Sequence, residues 1–140
     1  MLGTVAFTGG ALSPAPPAAE AAGLPTCTNS VWGYIGSFGV HRPGTSAGSY
    51  SCKNTTANVG QVLDSVKVIQ NAANGYYDYN LTKDGKYGAL TAGAVGVIQQ
   101  LGGVSRDYEY GPVTCGVTFW PVQTKPAGSP VVQVKKGLTC

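Results

Sequence analysis

Few side chains in this 140-residue chain are equipped to break bonds. The single histidine, His41, stands in Gly39-Val40-His41-Arg42-Pro43-Gly44, a loop by composition. A catalytic imidazole needs a nucleophile and an orienting carboxylate, or fellow ligands around a metal. No acid lies between Glu20 and Asp64, and neither H-E-x-x-H nor H-x-x-x-D occurs. Asp84 and Asp107 are two carboxylates of the type that cleaves glycans. Each, however, precedes a turn, where its oxygens are placed to accept backbone N–H groups. The Asp84-Gly85 pair also lacks the alternating acids and closing Glu of an EF-hand. Cys27, Cys52, Cys115 and Cys140 include no C-x-x-C, and one imidazole does not complete a zinc set. The chain therefore reads as a non-enzyme with no cofactor and no metal.

Recognition chemistry is better supplied. Tyr76, Tyr77 and Tyr79 fall in one loop, and Arg106 and Tyr108 in another. Tyrosine faces stack on sugar rings and their hydroxyls bond to sugar and peptide groups, while arginine pairs with anions. These five are the candidate ligand contacts. Lys125, Lys135 and Lys136 give the end of the chain a basic character suited to an anionic polymer.

Composition narrows the partners. Charged residues are 11% of the chain, against about 25% in an average soluble protein. Nine basic residues are spread thinly and offset by six acids, which excludes a phosphate-driven nucleic-acid binder. No apolar run approaches the roughly 18 residues of a membrane span. Residues 1–26, rich in Ala, Pro and Gly, read as a signal-peptide remnant with an A-x-A cleavage site at Ala19-Glu20-Ala21, or as a disordered leader. All four cysteines follow it, and an even count in a short secreted chain implies two disulfides with three connectivities open. Pairing Cys27 with Cys52 and Cys115 with Cys140 would close an N-terminal flap and pin the tail, each loop contributing about 3 kcal/mol.

These groups must be positioned by a repeated element. Asp84-Gly85-Lys86-Tyr87-Gly88-Ala89-Leu90-Thr91 recurs as Asp107-Tyr108-Glu109-Tyr110-Gly111-Pro112-Val113-Thr114, in the frame D-x-x-Y-G-x-x-T. The frame is a loop entering a helix: glycine as N-cap, proline at the first helical position, threonine in the first turn. Tyr87 and Tyr110 are expected half-buried, locking each loop. Ala94, Val97, Ile98 and Leu101 then mark one helical face, ended by Gly102-Gly103. Val113, Val117 and Trp120 mark another, ended by Pro121, and Val62, Val66, Ile69 and Ala73 a third upstream. Val31–Phe38 and Val131–Val134 are weak strand signals.

Val66-Lys67-Val68-Ile69-Gln70, the Leu81–Gln99 block and Asp107–Thr114 together resemble the three-helix peptidoglycan-binding domain of bacterial cell-wall hydrolases. That family's pattern is V-x-x-L-Q, then D-G-x-[FY]-G-x-x-T-x-x-A-V-x-x-[FY]-Q, then D-G-x-x-G-P-x-T leading to Trp. Here Tyr108 replaces a Gly, Ile98 an aromatic and Cys115 the Trp. The resemblance implies a mainly α, three-helix bundle over 58–120, flanked by a disulfide-tied β or irregular extension (27–57) and a tail (121–140). It implies a secreted, wall-associated, non-catalytic partner of peptidoglycan, whose motif residues are Asp84, Gly85, Tyr87, Gly88, Thr91, Asp107, Tyr110, Gly111 and Thr114. The alternatives are a wall-hydrolase fragment, or an extracellular protein binding another protein through the aromatic flap of Trp32, Tyr34, Phe38 and Tyr50.

Overall fold

Helices form where the apolar period is strongest. In a computed structural model describing residues 23–35, 38–124, 129–135 and 140, helix α1 covers Asp64–Tyr76, α2 Ala89–Leu101 and α3 Pro112–Val117. The leader up to residue 22, Lys125 and Lys136 lie outside the described residues, and Lys135 is described by its backbone alone. In α1, Val66, Ile69, Ala72 and Ala73 face the core, and Asp64 in the first turn complements the helix dipole. Val62, expected on that face, precedes the helix and is 61% exposed. In α2 the buried stripe runs through Ala94, Val95 and Ile98, leaving Leu101 exposed. Gly102 and the left-handed Gly103 (φ 74°) end it.

The third helix is shorter than its apolar period suggests. Pro112 opens it after Gly111, and it stops at Val117. Pro121 disfavours helical backbone at Trp120, so the chain is already extended when it reaches that residue. Trp120 begins a strand and is fully buried.

Four strands make an antiparallel sheet in sequential order: β1 Asn29–Ile35, β2 Phe38–Gly44, β3 Trp120–Thr124 and β4 Ser129–Lys135. Trp32 pairs with His41, Val31 with Arg42, Val40 with Val122, and Pro121 with Val134. The side-chain period of two divides the faces. Val40, Arg42, Trp120 and Val122 point into the core, while Ser30, Trp32, His41 and Pro121 point the other way. Thus the chain is a mixed α/β domain, and the expectation of a mainly α three-helix bundle is incorrect. The helices are too short to bury one another's apolar stripes alone. They close their core against the sheet, in one cluster of Val40, Val66, Ile69, Tyr87, Val95, Tyr110, Trp120 and Val122.

The reading of His41 as a loop residue is also corrected, since it lies in β2. The Val31–Phe38 run folds back on itself as a hairpin, and β4 pairs with β3 rather than with β1. Cys27 bonds to Cys52 and Cys115 to Cys140. The first bridge is fully buried, and the Cys27 carbonyl accepts from Asn54 Nδ2 at 3.0 Å and Ser65 Oγ at 2.6 Å. This joins the foot of the hairpin to the start of α1. No described helix is long and apolar enough to cross a membrane.

Candidate functional site

Each aspartate turn is clamped by a glutamine from the preceding helix. Gln70 of α1 reaches into the first turn. Its amide nitrogen donates to Asp84 Oδ1 (3.0 Å), the Lys86 carbonyl (3.2 Å) and Thr91 Oγ1 (3.1 Å). Its carbonyl oxygen accepts from the Gly85 N–H at 3.1 Å. Gln99 of α2 does the same in the second turn. It donates to Asp107 Oδ1 (2.7 Å), the Glu109 carbonyl (2.9 Å) and Thr114 Oγ1 (3.0 Å), and accepts from Tyr108 N–H (3.0 Å). The aspartates brace their turns by accepting from Lys86 N–H and Glu109 N–H. The carboxyl of Asp84 is held below the usual range, first by that Lys86 N–H and then by Gln70.

The two copies share backbone as well as contacts. Gly85 (φ 76°) and Tyr108 (φ 64°) occupy the same left-handed position after the aspartate. Glycine takes that conformation freely, whereas tyrosine costs about 1–2 kcal/mol there. Part of that cost is offset by packing. The Tyr108 ring lies over Gly96 of α2, where a Cβ would come within 2.4 Å of the ring. Tyr87 Oη donates to the Tyr108 carbonyl at 2.8 Å, tying the first copy to the second. Tyr87 and Tyr110 are fully buried rather than half-buried, and burial pushes both phenols well above their ordinary pKa.

The five candidate contact residues form two separate groups. Tyr76 and Tyr77, at the end of α1, join Phe119: Tyr76 stacks on it at 4.2 Å, and Tyr77 Oη accepts from its N–H at 3.0 Å. Tyr79 follows, its N–H donating to the Ala73 carbonyl. Arg106 lies over Tyr108 at 5.2 Å and donates to Gln100 Oε1. None of the five lines the larger described cleft.

That cleft, of about 430 Å³, opens between the outer face of the sheet and α1. One wall is Ser30, Trp32, Gly39 and His41; the other is Asp64, Lys67, Val68 and Asn71, one stripe of α1, with Lys83 beside them and Pro121 at the edge. The Trp32 indole lies across β2 because position 39 has no side chain, and a Cβ there would fall 2.1 Å from the ring. Its ring packs against His41 at a tilt of 55°, centroids 4.5 Å apart, and meets Tyr34 edge-on at 5.5 Å. Ser30 Oγ is 2.7 Å from His41 Nδ1, and burial lowers the pKa of that imidazole. Lys67 lies 3.6 Å from Asp64, and Lys83 donates to Asn71 Oδ1 at 3.3 Å. Residues 64, 67, 68 and 71 share a helical face, but the sequence alone did not place that face opposite Trp32. Only the i, i+2 pair Trp32 and Tyr34 carried a usable signal. Among the described residues, no group of three or more His, Cys, Asp or Glu is placed to hold a metal ion.

Compared with known proteins, the chain matches no family model, no curated protein and no solved structure.

Proposed function

We propose that this protein is an extracellular, non-catalytic binder of bacterial peptidoglycan, and that the cleft beside Trp32 is its principal site. One observation carries the reading: an aromatic wall faces amines, an amide and a carboxylate across a cavity of saccharide size. Aromatic faces take the C–H face of a sugar, while the polar wall fixes its hydroxyl and amide groups. The two disulfides suit an oxidising compartment. The resemblance of the D-x-x-Y-G-x-x-T blocks to wall-binding modules points to the same ligand. Gly75, the neighbour of the exposed Tyr76, sits close to Pro121 at the cleft edge.

The test is a pull-down on purified, protein-free sacculi. The parent should sediment with them, and Trp32→Ala should stay largely in the supernatant while melting as the parent does. A parent left in the supernatant would reject the reading. Arg106→Ala and Tyr108→Ala, at residues that do not line the cleft, should bind nearly as the parent does. A second reading, a wall hydrolase, is favoured by one contact, the Ser30–His41 hydrogen bond. Among the described contacts no carboxylate orients that imidazole. Clearing in a wall zymogram that vanishes in Ser30→Ala would favour it.

A further inference from the structure

The charge of the cleft indicates what its ligand must carry, given the peptidoglycan reading on which this inference rests. Lys67 and Lys83 place two ammonium groups among the lining residues, where Asp64 is the one carboxylate. Asp64 lies beside Lys67 and offsets its charge. Lys83 is different. Its described partner, Asn71 Oδ1, is neutral, and among the described residues no carboxylate lies within ion-pair distance. Such a contact orients the ammonium without neutralising it, and two of its three hydrogens remain for a ligand. Partial burial lowers the pKa of the His41 imidazole and so disfavours its charged form in the cleft.

The cleft thus has an aromatic wall and, among its other lining residues, an ammonium group whose described partner is neutral. A bare neutral glycan would use the first and waste the second. The complementary molecule has a sugar ring with an anionic group a short distance away. We propose that Lys83, held by Asn71, binds a carboxylate of the stem peptide attached to the sugar that stacks on Trp32. A phosphodiester of a wall polymer offers similar charge, and the experiment must separate the two sources.

Binding of the full chain would be measured on three wall preparations: intact sacculi, sacculi stripped of phosphate polymers with hydrofluoric acid, and glycan freed of stem peptides with an amidase, the lactyl carboxylates this exposes then being capped as neutral amides. Intact and acid-stripped sacculi should bind equally, and peptide-free glycan about tenfold more weakly, the size expected for losing one charge-assisted contact. Lys83→Met should bind all three at the weak level, and Lys83→Arg should restore most of the preference. Lys83 is exposed, so both variants should melt with the parent. Equal binding of the parent to peptide-free glycan, or an unaltered Lys83→Met, would overturn the inference while leaving wall binding intact. Loss of binding on acid stripping would assign the anion to phosphate and overturn it too. Failure to bind any preparation would reject the parent reading together with this one.

Discussion

Replacing Gln99 by leucine keeps the volume of the side chain and removes its polar end. The structure allows the cost to be worked out. Four contacts go: two to neutral acceptors, one to the Asp107 carboxylate and one from the Tyr108 N–H. Gln99 is fully buried and Asp107 partly so, with its second oxygen, Oδ2, buried and without a described partner. Water therefore has poor access to replace what is lost. A neutral hydrogen bond is worth about 1 kcal/mol net and one to a charged group about 1.5–3, and a buried group left unpaired loses more. The expected loss is about 3–5 kcal/mol, a large share of the roughly 5–15 kcal/mol that holds a domain together. At about 4 °C per kcal/mol this lowers the melting temperature by about 12–20 °C. Gln70→Leu disrupts the matching clamp, but Asp84 is exposed and rehydrates, so its loss should be nearer 2 kcal/mol. Thermal and urea unfolding by circular dichroism, with disulfides intact, measures both. Combining Gln99→Leu with Asp107→Ala should cost less than the sum of the two, because both remove the same contact. A Gln99→Leu protein melting within about 3 °C of the parent, or a Gln70→Leu protein melting lower than Gln99→Leu, would refute the clamp argument.

Further expectations follow from the same geometry. Gly96→Ala should destabilise by about 1–2 kcal/mol through its clash with the Tyr108 ring, whereas Gly93→Ala, with open space at its Cβ, should stabilise by about 0.5–1 kcal/mol. In a Tyr108→Ala background the Gly96→Ala change should become favourable, and urea midpoints of the four proteins would show the reversal. The folded-state pKa of His41 lies below its ordinary 6.5, so the unfolded chain binds more protons. Stability from this residue is complete above about pH 6.5 and declines as pH falls through the folded value; His41→Gln should flatten that part of a Tm–pH curve. Asp84, with its pKa depressed below 3.8, contributes stability at higher pH that is lost as pH falls through the folded value; Asp84→Asn should remove that acid limb. Replacing both Cys27 and Cys52 by alanine should cost about 3 kcal/mol or more, since the bridge is buried beneath two hydrogen bonds to the Cys27 carbonyl. A melting temperature within a few degrees of the parent would reject it.

The helical part was legible because helix signals are local. The period of Val66, Ile69 and Ala73, the Gly102-Gly103 stop and Pro112 after Gly111 each act within a few residues. The sheet was not legible, because its pairings join residues far apart in the chain. Val40 meets Val122 only after the helices have been made. Trp120 fits the apolar period of α3, yet Pro121 and the sheet outvote that period. The clamp glutamines were visible as Ile69-Gln70 and Ile98-Gln99, but their distances to the aspartates differ between copies, which hid the shared role. The cleft was hidden for a related reason. Trp32 and Lys83 lie on different layers, and only the hairpin register and the placement of α1 bring them to one cavity.

Because the sheet is a meander cut open between its second and third strands, with residues 45–119 spliced into the gap, its inner hydrogen-bonding edge stays bare until the end of the chain arrives. A ribosome releasing this protein would therefore expose the β2 edge for as long as the helical insert takes to emerge, an open template for pairing with other chains. Pro121, which borders the cleft beside Trp32, comes in with that last portion. Completion of the cleft and protection of the sheet are thus one event, and a chain stopped before Trp120 would both lack the cleft edge and be prone to aggregate.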